Sequence, residues 1–300
     1  MSTVSVVLPS FNRTGYLARA IESVLSQSTT DLELLIADDG SAAETRDYLR
    51  GLGDRRVQIL WLAHSGLPSR ARNAALASAS GRYVAFLDSD DVWHPMKLQR
   101  QLEAIERTAA RWSFVLADRI DASGQPLAPP AAVPTPREGW VFDDLLRQRF
   151  TIPMPSVLAE RTLLAEIGGF DESLPFAEWH DLALRLALAA PVALAGERLC
   201  SIRAHGEHYS ADRAAALRSW IALHEKMAVR APTPALRRVA KDLRADAALR
   251  LAGAHLAAGR RGAALRALGD SARTGWRLPR WWRGAVPRFA RALVGPRVAP

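Results

Sequence analysis

Asp88, Asp90 and Asp91 lie within four residues of one another, directly after the apolar run Val84-Ala85-Phe86-Leu87. A run of that length suits a strand buried on both faces of a parallel sheet. Carboxylates crowded at a strand's end repel one another, so positive charge is expected beside them. A divalent cation with hard oxygen ligands is one source of that charge. The plainer alternative is a polar turn whose aspartates cap the next helix. Two further acidic features follow apolar runs: Asp38 and Asp39 after Leu32–Ala37, and Asp118 after Trp112–Ala117. In a parallel sheet such ends share one edge, where open α/β sheets bind ligands. A nucleoside diphosphate suits such an edge, with one carboxylate for the base or ribose and others for a cation at the pyrophosphate. Arg72 lies near the start of a predicted helix, where it could meet a phosphate or a sugar hydroxyl, or simply form a salt bridge. The chain has no G-x-G-x-x-G and no G-x-x-x-x-G-K-[ST] motif, so the usual dinucleotide and P-loop signals are absent.

The elements that must position these residues alternate. Strands are predicted at Val4–Leu8, Leu32–Ala37, Val57–Leu62, Tyr83–Leu87 and Trp112–Ala117. Helical spacing of Leu17, Ile21, Val24 and Leu25 marks the first intervening helix. Ser41 and Glu44 have capping-box spacing for the second. Ser69–Ser80 reads as the third, and Pro95 opens a helix reaching about Thr108. This pattern predicts an α/β fold, a Rossmann-like, mostly parallel sheet flanked by helices. Residues 121–138 hold five prolines and Gly124 and read as a loop. Beyond Trp140, short helices are expected at Val141–Arg149, Arg161–Ile167 and His180–Ala189, with a strand near Val192–Ile202. After Ala211 the chain is rich in Ala, Leu and Arg, which favours helices around 211–230, 234–258 and 262–273.

The 300 residues suffice for one large α/β domain and an appendage. Cys200 is the only cysteine, so no intrachain disulfide can form and a reducing, cytoplasmic compartment is expected. The N-terminus does not read as a signal peptide, and no window approaches the ~20 apolar residues that span a bilayer. Net charge is +9 and uneven. Residues 211–300 carry 19 Lys+Arg against 5 Asp+Glu, or +14, leaving −5 on residues 1–210. The basic character belongs to the tail and does not argue against an acidic catalytic domain.

The ordered segments Val-Val-Leu-Pro9-Ser-Phe-Asn12-Arg, Asp38-Asp39-Gly-Ser, Ala-Arg72-Asn73-Ala-Ala-Leu and Leu-Asp88-Ser-Asp90-Asp91 resemble the signature of family-two inverting glycosyltransferases with the GT-A fold. Gly168-Gly169-Phe170-Asp171-Glu172 and Leu182–Leu186 continue it, and the likeness covers about residues 3–205. It implies a nucleotide-sugar donor, a Mg²⁺ or Mn²⁺ ion, and inversion at the anomeric carbon. It also implies a GT-A catalytic domain over 1–210, with a nucleotide-sugar-binding half (1–120) and an acceptor half (139–210), then a basic helical extension over 211–300. Donor binding would fall to Pro9, Asn12, Asp39, Arg72 and Asp88, with Asp39 at the nucleobase and Asp88 near ribose and metal. Asp90 would be the principal metal ligand, with Asp88, Asp91 and His205 (from Arg203-Ala-His205) as the others.

Inversion needs a base at the acceptor hydroxyl. The family's Glu-Asp-aromatic-Asp-Leu run is here Glu178-Trp179-His180-Asp181-Leu182. Without a gap, Trp179 takes the catalytic Asp position. Shifted by one residue, Glu178 takes it. Glu178 is preferred, Asp181 is second, and Trp179 and His180 are candidates for lining the acceptor site. The acceptor expected is a glycan or a lipid-linked sugar of surface-polysaccharide assembly. Residues 271–300 carry seven arginines and Trp276, Trp281 and Trp282, suited to an anionic membrane face or to a packed helical cap, while nucleic acid is not expected. The rival readings are a catalytically inactive nucleotide-sugar-binding or assembly subunit and a nucleotidyltransferase. The second lacks its usual Gly-rich basic loop after the first strand.

Overall fold

A computed structural model describes residues 3–128, 135–204, 212–275, 281–283 and 285–288. The chain forms two compact units, one of residues 1–172 and 179–207, the other of residues 173–178 and 208–300.

The first unit is an α/β layer structure. Its strands are β1 Val4–Ser10, β2 Leu32–Asp38, β3 Val57–Trp61, β4 Tyr83–Phe86, β5 Val92–Trp93, β6 Trp112–Ile120, β7 Val157–Glu160 and β8 Val192–Arg203. They form one sheet in the order β3-β2-β1-β4-β7-β6-β8-β5. Strands β1, β2 and β4 are almost wholly buried, as their unbroken apolar sequences require, whereas the edge strand β3 is half-exposed. Parallel register sets Ser10 opposite Asp38 and Val7 opposite Phe86, so the carboxyl ends of β1, β2 and β4 share one edge.

The helices are α1 Thr14–Leu25, α2 Ala43–Arg50, α3 Pro68–Ser78, α4 Lys97–Thr108, α5 Phe142–Leu146, α6 Arg161–Glu166 and α7 Glu178–Ala189. Helix α1 buries Leu17, Ile21 and Val24, and α4 buries Leu98, Ala104 and Ile105, in a core shared with Val6, Leu34 and Ala85. The predicted boundaries hold to within a few residues. Two strands escaped the sequence reading. Strand β5 is two residues long, and β7 is a four-residue strand after Pro153 and Pro155, inserted antiparallel between β4 and β6. Neither is long enough to show a period. Among the described residues four strand pairings are parallel and three antiparallel.

The capping box expected at Ser41 does not form. Helix α2 has Ala42 as its N-cap with no side-chain cap bond. The Ser41 hydroxyl instead accepts the Asn12 N–H at 3.0 Å. A tertiary donor has taken the group that local spacing assigned to the helix.

The second unit is helical: α8 Arg213–Arg230, α9 Pro234–Ala257 and α10 Arg261–Gly275. Asp212 caps α8 by accepting from the N–H groups of Ala214 and Ala215. Thr233 caps α9, with Pro234 at its first turn. Small residues on the facing surfaces (Ala245, Ala252, Ala285) let the helices close around Leu249, Leu268 and Trp281. Trp281 is 4% exposed, and its indole N–H donates to Ser271 Oγ at 2.6 Å. Of the three tryptophans read as an interfacial set, Trp281 is therefore core. Trp282 is half-exposed, and Trp276 lies outside the described residues. No helix among the described residues is long and apolar enough to cross a membrane.

Candidate active site

Strand β4 hands the chain to a tight turn in which the Asp91 N–H reaches the Asp88 carbonyl at 3.2 Å. The turn gathers all three carboxylates, and three arginines from distant segments meet it. Arg72 of α3 donates to Asp88 Oδ1 at 2.8 Å, and Arg13 donates to Asp90 Oδ2 at 2.8 Å. The backbone N–H of Arg203, at the end of β8, donates to Asp91 Oδ1 at 2.8 Å. The Arg203 side chain then ties the turn down. Its Nε donates to the Asp90 carbonyl at 2.8 Å and its Nη1 to the carbonyls of Asp121 and Ala122, while the guanidinium lies 4.7 Å from the Tyr16 ring centroid.

Even so, the carboxylates remain crowded. Burial raises the pKa of Asp88, and Asp90 adds to this while Arg72 opposes it. Asp91 is raised well above the carboxylate range, by burial first and then by Asp88 and Asp90. This is a site that gains from more positive charge. Its hard oxygen donors suit Mg²⁺ or Mn²⁺, which commonly takes one or two carboxylates and completes its shell with water and phosphate oxygens. Among the described residues no group of three His, Cys, Asp or Glu side chains forms a metal cage. The carboxylates of the turn would then hold the ion together with donor oxygens and water.

Asp118 does not join this cluster. It is half-exposed and pairs with Arg198 at 3.2 Å, because β6 runs two residues beyond it.

Beside the acidic turn, the ends of β1 and β2 make a second polar region. Asp39 is 7% exposed. Its Oδ1 accepts from the Ser65 N–H and hydroxyl, and its Oδ2 from the Gly66 N–H, all at 2.9 Å. His64 of the same loop donates from Nδ1 to the Asp39 carbonyl at 2.8 Å, and its ring stacks on Phe11 at 4.2 Å. Gly40, at φ +78°, allows the close approach, since a Cβ there would lie 2.8 Å from the His64 nitrogen. Phe11 is 41% exposed, so the stacked pair presents an aromatic face at the sheet edge.

Asn12 has φ +48°, and its side-chain oxygen accepts the Ala42 N–H at 2.7 Å. It joins the first loop to the head of α2. Pro9 lies half-buried in β1 opposite Ala37. Neighbouring Ser10 Oγ and Asp38 Oδ1 are buried with no hydrogen-bond partner among the described residues. Such groups usually meet water or a ligand.

The acceptor-half residues divide. Asp181 is fully buried, and its Oδ2 accepts from Arg185 at 2.6 Å. Arg185 also donates to the carbonyls of Ile167 and Gly169, so the pair anchors the Gly168-Gly169 turn. Trp179 donates its indole N–H to the Ile152 carbonyl at 2.7 Å. His180 is pushed down to about 4 by burial and is neutral at pH 7. Glu178 opens α7 and belongs to the segment 173–178 grouped with the helical unit. His205 lies outside the described residues. Arg13, Arg203, Phe11 and His64 were not singled out in the sequence. Arg13 follows Asn12 directly and Arg203 opens the Arg-x-His segment, so the motifs carried a signal for both.

Residues 5–151 match the model of glycosyl transferase family 2. WfgD of Escherichia coli, a UDP-Glc:alpha-D-GlcNAc-diphosphoundecaprenol beta-1,3-glucosyltransferase, is 41% identical over 188 residues, covering 62% of this chain and 69% of WfgD. TuaG of Bacillus subtilis, named for teichuronic acid biosynthesis, is 39% identical over 146 residues. That alignment covers 48% of this chain and 57% of TuaG, so the chain spans little more than half of that relative. S. aureus TarS 1–349 in complex with UDP-GlcNAc superposes with a TM-score of 0.71 at 17% identity, covering 97% of this chain and 90% of TarS, a likeness of fold. With the motifs in order on a GT-A sheet and two thirds of a 41%-identical relative spanned, the chain belongs to glycosyltransferase family 2.

Proposed function

We propose that the protein transfers a sugar from a nucleotide-sugar donor to an acceptor hydroxyl with inversion, in the assembly of a surface polysaccharide or lipid-linked glycan. The observation that carries this reading is the turn Asp88–Asp91 at the carboxyl end of β4, with Asp91 buried and Asp88 and Asp90 partly exposed, still short of positive charge with Arg13, Arg72 and Arg203 around it. Asp90 and Asp88 would hold Mg²⁺ or Mn²⁺, with Asp91 and His205 as further candidates. The ion would neutralise the charge of the departing diphosphate.

In this reading Asp39 serves the nucleobase, and the Phe11–His64 stack offers it an apolar face. Pro9 and Asn12 hold the first loop against α2, and Arg72 reaches the donor while pairing with Asp88. Glu178 removes the acceptor proton as the hydroxyl oxygen bonds to the anomeric carbon, and the bond to the diphosphate breaks on the opposite side. Asp181 is the less suitable base, because its carboxylate is enclosed and bound to Arg185. The named relatives and the TarS complexes motivate a uridine diphosphate donor and an acceptor on a lipid diphosphate or polymer. The cytoplasmic face of the membrane, where such acceptors and donors meet, is the place proposed for it.

Calorimetry of uridine diphosphate with and without Mn²⁺ tests the reading. Asp90→Ala should abolish the metal-dependent part of the affinity while the thermal transition stays in place. Unchanged metal-dependent affinity in Asp90→Ala would remove the acidic turn from the donor site.

A further inference from the structure

The helical unit contains a pocket of about 710 Å³ lined by Arg213, Arg250, Arg261 and Arg288, with Leu256 and Pro287 among its apolar walls. The four cations come from the start of α8, the second half of α9, the start of α10 and the following helical turn. Among the described residues no carboxylate lines it. Glycine makes the room. A Cβ on Gly253 of α9 would lie 3.2 Å from Arg288 Nε, so a larger residue would displace that guanidinium.

The nearby described acids do not neutralise Arg213, Arg250 and Arg261. Asp212 is used by the first turn of α8, accepting from Ala214 and Ala215 at 2.9 and 3.0 Å. Asp246 pairs with Arg250 at 2.8 Å, but both side chains are well exposed, at 47% and 64%, and such pairs exchange readily. Among the described residues Arg213 and Arg261 have no carboxylate partner. Other cations stand beside His255 on α9: burial lowers its pKa, and then Arg260, Arg218 and Arg266 lower it further. The carbonyls of Ala254, His255 and Leu256 at the end of α9 are already taken by the N–H groups of Ala258, Arg260 and Gly259.

We propose that this pocket is an anion site for a phosphate or diphosphate ester whose remaining part is apolar. Guanidinium groups match phosphate oxygens in fork geometry. The volume exceeds what a lone phosphate needs and lies in the usual range for a ligand cavity. The leucine and proline walls suit an ester group better than a second charged group. The pocket shares no residue with the acidic turn on β4 and needs no metal.

The test titrates inorganic pyrophosphate into the full chain by calorimetry, in EDTA so that metal-dependent binding at the donor site is silent. Saturable binding is expected, and the double variant Arg213→Gln/Arg261→Gln should weaken it about tenfold or more. Lys241→Gln, which removes one charge from a part of α9 that does not line the pocket, should leave it intact. If the double variant does not fold, Arg261→Lys keeps the charge but not the fork and should still weaken binding. Equal losses in Lys241→Gln and the pocket variants would overturn the proposal, as would an absence of saturable binding. A second arm uses phosphatidylcholine vesicles doped with phosphatidic acid. Vesicle binding that pyrophosphate competes away assigns the phosphate to a lipid headgroup. Pyrophosphate binding without vesicle binding assigns it to a ligand outside the bilayer surface. Neither arm requires sugar transfer, so the pocket and the transferase reading can fail separately.

Discussion

Asn73 of α3 holds Phe170 by both ends of one amide: its Oδ1 accepts the Phe170 N–H at 2.9 Å and its Nδ2 donates to the Phe170 carbonyl at 2.9 Å. Nδ2 also reaches Glu172. Phe170, 3% exposed, meets Phe86 of β4 edge to face at 5.3 Å, and its ring lies 5.5 Å from the Arg72 guanidinium carbon. One side chain thus fastens the Gly-Gly-Phe-Asp-Glu segment to the helix that carries Arg72, beneath the strand that carries the acidic turn.

Asn73→Ala should therefore cost about 1–3 kcal/mol of stability, since it strands two backbone groups of a buried segment. Urea denaturation measures this. Gly169→Ala should be at least as harmful, because Gly169 has φ +62° and a Cβ would lie 2.9 Å from Asn73 Oδ1. Wild-type midpoints in both variants would show that the segment is held by other means.

The choice of base separates by experiment. Glu178→Gln should lower transfer by roughly 10²–10⁴-fold with donor affinity nearly constant. Asp181→Asn should act mainly on stability, because it breaks the buried pair with Arg185; losing one partner of such a pair costs about 3–5 kcal/mol. Transfer assays on folded protein, beside thermal melts, decide. A folded Asp181→Asn without transfer, together with an active Glu178→Gln, would reverse the assignment. No turnover of any donor by the wild type would favour a binding subunit.

Lys97 gives a pH signature. It is fully buried, donates to Gln101 at 2.7 Å and sits 3.9 Å from the Trp93 ring centroid. Burial lowers its pKa from 10.5 to about 7. A lysine depressed in the folded state is protonated more readily in the unfolded chain. The penalty is fully present below pH about 7 and shrinks as pH rises towards 10.5. Stability should gain at most about 1.4 kcal/mol per pH unit across that window from this group. Lys97→Met should flatten the rise relative to wild type in denaturation series at several pH values. Parallel curves for the two proteins would show that Lys97 does not control it.

The amino-acid order by itself determined most of the β-α alternation, the strand ends that bear Asp38, Asp39 and Asp88–Asp91, and the helices after Ala211. These follow from short-range period and propensity, which neighbouring residues encode directly. The tertiary structure decided what the chain's return path brings together. Arg13 meets Asp90 across 77 residues and the Arg203 N–H meets Asp91 across 112, distances at which no local pattern speaks. The insertion of β7 between β4 and β6, the capture of the Ser41 hydroxyl by Asn12 and the burial of Trp281 against Ser271 belong to the same class. In each, the partner was set by packing and not by the local pattern of the sequence. Buried groups must be paired, and only the packed fold determines which partners are within reach.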